Sequence, residues 1–175
     1  MVYPNMAFDL RAIFYGVYVH SAEPVYTKRK RNIDKKKIVA PYGTIVSCST
    51  VDEVRGLDLR KKKRKKTESS IAYFRNTVTL EVAYTSRVDG STVLINVLIF
   101  NNCMKISGCK RIRDAMEVVM ILWETYMAPS PSMWAIKAAP LTTPRFLFEV
   151  VMQNYDVRFG FDIDRDKLNR FMNQD

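Results

Sequence analysis

Two adjacent β-type segments, Ile71–Ser86 and Ser91–Phe100, constrain this chain more than any other feature. In the first, Val78, Leu80, Val82 and Tyr84 alternate with Thr77, Thr79, Glu81 and Ala83. A period of two puts the apolar set on one face and the polar set on the other. Val88-Asp89-Gly90-Ser91 supplies a hairpin turn, because Asp-Gly accepts the positive φ that tight hairpins need. In the second segment Val93, Ile95, Val97 and Ile99 take one side, and Leu94, Asn96, Leu98 and Phe100 the other. Both sides are mostly apolar, which predicts a strand covered on both faces. Asn101-Asn102 turns the chain into a short strand, Cys103–Ser107, where Met104 and Ile106 oppose Lys105 and Ser107. Gly108 ends it. Strands joined by tight turns predict an antiparallel sheet.

Charge is concentrated beside these strands. Lys28, Arg29, Lys30, Arg31, Lys35, Lys36 and Lys37 form one basic stretch, and Arg60, Lys61, Lys62, Lys63, Arg64, Lys65 and Lys66 another. Together they hold half of the 28 Lys and Arg residues and account for much of the net charge of +10. Such a balance implies an acidic partner, nucleic acid first and an anionic membrane surface second. Each run also reads as a solvated loop or a nuclear-import signal.

Asp9 is placed to cap a helix whose Leu10, Ile13, Phe14, Val17 and Tyr18 share one face. Residues 27–43 read as a charged loop, Thr44–Thr50 as a short β-type run and Val51–Lys66 as loop again. After Gly108 a helix is predicted from Lys110 to Met127, with Ile112, Ala115, Met116, Val119, Trp123, Tyr126 and Met127 as its core stripe. Lys110, Arg111 and Arg113 oppose the dipole at its start. Either an anion sits there or Asp114 and Glu117 offset them locally. Residues 128–144 contain Pro129, Pro131, Pro140 and Pro144 and read as a linker that packs through Trp134 and Ile136. Phe146, Phe148 and Val150 then alternate as a strand. Val157, Phe159 and Phe161 resume the alternation after a turn or bulge at 154–156. Asp162 or Asp164 can cap a short helix.

Three cysteines, Cys48, Cys103 and Cys109, form no CxxC pair, which points to a reducing, intracellular compartment rather than a disulfide framework. No apolar run approaches the ~20 residues that cross a bilayer, and residues 1–20 lack the features of a secretory signal. His20 sits on an aromatic segment and reads as structural. Asp162, Asp164 and Asp166 read as helix-start chemistry rather than a metal site. No Ser/His/Asp set or Gly-rich phosphate loop occurs, so the sequence predicts no enzyme, no cofactor and no metal.

The stretch LINVLIFNNCMKISGCK (residues 94–110), followed by an amphipathic helix, resembles the strand–strand–helix segment of a TATA-box-binding protein repeat. The matching positions are Leu98-Ile99-Phe100, Asn101-Asn102 and Ser107-Gly108-Cys109-Lys110. Residues 146–164 are similar to the opening of that family's second repeat, through Asn154, Asp156, Val157 and Phe159. The basic run followed by Tyr73-Phe74-Arg75-Asn76 resembles the divergent versions found in large DNA viruses. The resemblance implies an α+β fold: a curved antiparallel sheet with helices packed on the convex face. Residues 1–127 would form a first repeat with basic insertions at 28–37 and 60–66, 128–144 a linker, and 145–175 the start of an incomplete second repeat. A second copy could supply the missing half as a two-fold homodimer.

The concave face of such a repeat lies on the DNA minor groove, with phenylalanines wedged between base steps. The resemblance thus makes Phe100 one wedge and Phe74 the other. It sets Leu98, Lys105 and Ser107 on the DNA-facing side. The period alone instead puts Phe74 in phase with Val78 and Leu80, with Arg75, Thr77 and Thr79 exposed. Lys61, Lys62, Lys63, Arg64, Lys65 and Lys66 would add phosphate contacts. The implied function is a transcription-initiation factor that binds and bends double-stranded DNA and recruits RNA polymerase or general transcription factors. It would work in a host nucleus or a cytoplasmic viral factory. The alternatives are a nonspecific nucleic-acid-binding or packaging protein on the same fold, favoured by Lys105 at a groove position, or a virion structural protein.

Overall fold

The computed structural model describes residues 1–23, 38–59, 76–85, 90, 92–138 and 145–151. Its frame is one open, seven-stranded antiparallel sheet in the order β4-β3-β5-β6-β7-β1-β9. The strands are β1 (Val2–Pro4), β3 (Ile45–Ser49), β4 (Val54–Gly56), β5 (Val78–Thr85), β6 (Thr92–Ile99), β7 (Met104–Ser107) and β9 (Phe146–Phe148). A separate antiparallel pair joins β2 (Met6–Phe8) to β8 (Ala135–Ala138). The chain is therefore α+β, with its helices packed against one face of an open antiparallel sheet.

The β5–β6–β7 meander follows the alternation in the sequence. Val78, Leu80, Val82 and Tyr84 pair with Ile99, Val97, Ile95 and Val93, and Met104 and Ile106 continue two of these rows. This apolar face carries the main core, which takes in Ile13, Phe14, Val17, Val118, Val119, Leu122, Met127 and Trp134 from the helical side. Asp9 caps α1 (Leu10–Gly16) by accepting from the Ala12 N–H at 2.9 Å. The helix stops at Gly16, and Val17 is already extended. Tyr18 therefore leaves the expected helical face and is 70% exposed.

The second helix is α2 (Ile112–Ile121), which continues as a π-helical turn over Leu122–Met127. Its core stripe follows the expected one in its second half, where Val119 and Met127 are buried and Trp123 and Tyr126 pack against the core, but departs from it in the first turns. Val118 and Leu122 are buried, whereas Ile112 and Met116 are 52% and 46% exposed. The cause is a polar anchor inside the core. The Tyr84 hydroxyl on β5 lies 3.1 Å from Asp114 Oδ1 and 2.9 Å from Glu117 Oε2. With Asp114 turned to the sheet, the row 114–118–122 follows it at i, i+4 spacing, and Ile112 and Met116 turn outward. Asp114 also accepts from the Arg111 backbone N–H at 3.0 Å and its guanidinium at 3.1 Å. Arg113 lies 3.7 Å from Glu117. These contacts are the local offset of the N-terminal cations.

Three further expectations are corrected. Val51–Lys66 is not all loop, since Val54–Gly56 pairs with Ser47–Ser49 as an edge strand. Gly56 has φ +79°, and a Cβ there would stand 2.5 Å from Val46 O and from Val19 Cγ1, so only glycine fits. Residues 128–144 are not simply a linker. They contain α3 (Pro131–Trp134) and β8, and Trp134 is 1% exposed in the core. The strand expected over Phe146–Val150 ends at Phe148, beyond which Val150 is exposed. Its β9 pairs antiparallel with β1 in the same sheet. The hairpin turn at 86–89, the basic stretches and residues 152–175 lie outside the described residues.

Burial alone would raise the Asp114 carboxyl, but hydrogen bonds from Arg111 and Tyr84 outweigh it and hold the group below its usual value. Burial, then the bonds to Glu117 and Asp114, push the Tyr84 hydroxyl well above its ordinary value. Stability from Asp114 is therefore present above the unfolded carboxyl pKa and is lost as the pH falls through the folded one. Stability from Tyr84 is full below the ordinary tyrosine pKa and is lost as the pH rises through the folded one. Tyr84→Phe should cost about 1–3 kcal/mol by leaving buried carboxylate oxygens short of a donor. Urea unfolding at neutral pH checks this, and Asp114→Asn should flatten the acid limb of the stability curve. Trp134→Ala should cost about 3–5 kcal/mol, as for a core aromatic, whereas a linker tryptophan would leave the unfolding midpoint almost unchanged.

Candidate nucleic-acid interface

The face of the sheet turned away from the helices is organised in cross-strand rows. Ala83 stands opposite Leu94 in one row. The next row runs Ser47, Glu81, Asn96, Ser107, and the one beyond it Ser49, Thr79, Leu98, Lys105. Thr77 and Phe100 lie at the strand ends past that row. The alternation in β1 extends the face to Tyr3, which pairs with Leu147. Tyr3 and Leu147 are 39% and 69% exposed, and the Tyr3 hydroxyl donates to Glu149 Oε2 at 3.1 Å.

This face is partly covered by the chain itself. Ile38, Val46 and Leu57 form a small buried cluster, with Ala22, Ala40, Leu59 and Leu94 packed against it. The two-sided cover expected for β6 is thus real at Leu94. It gives way beyond that point to a cleft of about 280 Å³ lined by Ser47, Ser49, Thr79, Glu81, Asn96 and Leu98, with Leu59 at its side. The polar character of the rows comes from simple alternation: in the two rows of the cleft the residues that β3 and β5 turn outward are Ser47, Ser49, Thr79 and Glu81.

The expected site residues divide accordingly. Leu98 and Thr79 are half-buried in the cleft, and Lys105 and Ser107 are exposed at its β7 side. Phe100 is half-buried and is not part of the main core. Thr77, expected to be exposed, is buried at 7% exposure, because it lies where the cleft closes against the Thr50 loop. Phe74, Arg75, Lys61, Lys62, Lys63, Arg64, Lys65 and Lys66 lie outside the described residues. Sequence reasoning missed Ser47, Ser49, Tyr3 and Leu147. The first two sit in a run expected as strand, and their outward phase becomes readable once Cys48 is taken as core. Tyr3 belongs to a three-residue strand that offers no period to read, whereas the alternation of Phe146 and Phe148 already turns Leu147 to the other side.

Glu81 and Asn96 set the electrostatics of the cleft. Glu81 is 5% exposed, and its Oε1 accepts from Asn96 Nδ2 at 3.2 Å. Asn96 Oδ1 in turn lies 3.5 Å from Ser107 Oγ. A larger cleft of about 420 Å³ opens at the end of the sheet, between α1 and the start of β5, beside Arg11, Glu53, Asn76 and Asn101.

Among the described residues no group of three or more His, Cys, Asp or Glu could hold a metal ion; the Asp162, Asp164 and Asp166 set lies outside them. Burial pushes the Cys48 thiol up to about 12. Burial, then the Asp114 charge, pushes Cys109 up to about 11. Both thiols are thus held away from the reactive thiolate. His20 Nδ1 is 2.6 Å from the Ser21 carbonyl oxygen. No helix among the described residues is long and apolar enough to cross a membrane.

Lys105→Gln and Ser107→Ala should shift stability by no more than about 0.5 kcal/mol, since exposed side chains on a packed strand contribute little. Leu94→Asp, under the small apolar cluster, should cost several times as much, and parallel thermal melts compare the three. Compared with protein-family models, curated proteins and solved structures, the chain matches none.

Proposed function

We propose that this chain is a duplex-DNA-binding protein of TATA-box-binding type, acting in transcription initiation, which lays the open part of its inner sheet face along the minor groove. The observation that carries the reading is an open, hydroxyl-lined end of a helix-backed antiparallel sheet in a chain of net charge +10. Leu98, Lys105 and Ser107 gather in two adjoining rows at that end, with Phe100 just beyond. Phe100 is half-buried at the end of β6.

The chain path adds support. The segment that resembles the opening of a second repeat begins with β9, and β9 runs antiparallel to β1, the first strand of the chain. The rest of that segment lies outside the described residues. Polymerase or general factors would dock on the opposite, helical side, where Ile112, Met116 and Met120 form an exposed apolar stripe. A general nucleic-acid binder on the same fold is the second reading. Lys105, a flexible point charge exposed on the open face, favours it, because phosphate contacts carry no sequence information.

Titration of a labelled duplex across salt concentrations tests both. Affinity should fall log-linearly with salt, with a slope near −0.9 per phosphate contact. Changing Lys61–Lys66 to Gln should weaken binding alike across sequences and flatten that slope. Phe100→Ala should reduce bending, read as end-to-end energy transfer, more than it reduces affinity. Binding without bending selects the general binder. No duplex affinity at about 50 mM salt removes both readings and leaves a structural protein.

A further inference from the structure

We infer that Glu81 and Asn96 act as positioning residues that fix the proton of the Ser107 hydroxyl and so set a base preference on the open face: guanine is accepted where an adenine–thymine reader would be expected. The inference rests on the DNA-binding reading above.

The three residues stand directly opposite one another on β5, β6 and β7. A carboxylate can only accept hydrogen bonds, so the Asn96 group facing Glu81 Oε1 at 3.2 Å must be the amide NH₂. That choice turns Asn96 Oδ1 toward Ser107. The Ser107 hydroxyl then donates to it, across 3.5 Å. Glu81 is 5% exposed, so the carboxylate that starts the relay is sheltered from water, while Ser107 at its other end is exposed.

With its proton turned inward across that 3.5 Å contact, Ser107 Oγ directs lone pairs outward. In the minor groove A·T and T·A pairs show acceptors alone, whereas G·C adds the guanine N2 amino donor. A hydroxyl so turned opposes the first pattern and satisfies the second. A serine free to rotate would suit either.

Competition of the full chain between poly(dG-dC) and poly(dI-dC) duplexes tests this, because inosine removes only the minor-groove amino group. The wild type should prefer the guanine duplex by about 5-fold or more, the ratio one matched groove contact carries. Ser107→Ala should abolish the preference. Glu81→Gln, which can donate and so frees the Asn96 amide to flip, should reduce it toward unity. Ser107 is exposed, so its variant keeps the test decisive if Glu81→Gln fails to fold. Equal binding of the two polymers by the wild type, a preference for inosine, or a guanine preference that survives Ser107→Ala overturns the relay while the DNA-binding reading stands. Failure of the wild type to bind either duplex overturns both.

Discussion

The contact of Tyr84 with Asp114 and Glu117 holds this architecture in its observed form. It is a polar knot at the edge of an apolar core, and it decides which side of α2 meets the sheet. Asp114 is buried at 3% exposure, a position an acid tolerates only when its oxygens are satisfied. Tyr84 and Arg111 satisfy them. Once the helix is locked in this rotation, Val118, Leu122 and Met127 fill the space over β5 and β6, and the two methionines at 116 and 120 stay in water. A second clasp lies at the far end of the helix. The Tyr126 hydroxyl accepts from the Ile45 N–H and donates to the Gly43 carbonyl, each at 3.2 Å, tying the π-helical turn to β3.

Because the helices among the described residues pack on one face, the other is managed by loops or left open. The chain does both. Ile38, Leu57 and Leu59 shield Leu94, whose exposure would otherwise leave an apolar patch. The rows beyond carry Ser, Thr, Asn and Glu, which water or a polar partner can satisfy. An apolar cluster thus sits at one end of the face and hydrogen-bonding rows at the other. Glu81 at the centre is then unlike a simple phosphate cradle. A sheltered carboxylate repels phosphate and is better used to orient Asn96.

The meander was legible in the sequence because eight-residue strands carry four full repeats of their period. Asn101-Asn102 and Gly108 marked its ends, and Asp9 marked the start of α1. The small strands β1, β2, β4 and β8 were not legible. In these segments no alternation stood out, and their strand character comes from the partners they meet. Trp134 shows the same limit differently: its proline-rich surroundings suggest a linker, while its burial depends on α1 and the core arriving from elsewhere in the chain. At the candidate site, alternation put Leu98 on the side of Phe100 and Lys105 on the side of Ser107, while the facing of Leu98 against Lys105 came from the pairing of β6 with β7. The partial roof over Leu94 did not follow from alternation, since Leu59, Leu57 and Ile38 come from segments that end well before β5 in the chain.

By itself, then, the amino-acid order determined the alternation within β5, β6 and β7, the apolar side of those strands and the strongly basic character of the chain, because each rests on local spacing or simple counting. The rotation of α2, the edge pairing of β9 with β1 and the division of the inner face into a covered and an open part were decided only by the tertiary structure. Each depends on contacts between residues far apart in sequence, where a buried carboxylate finding its tyrosine outweighs the helix's own apolar stripe.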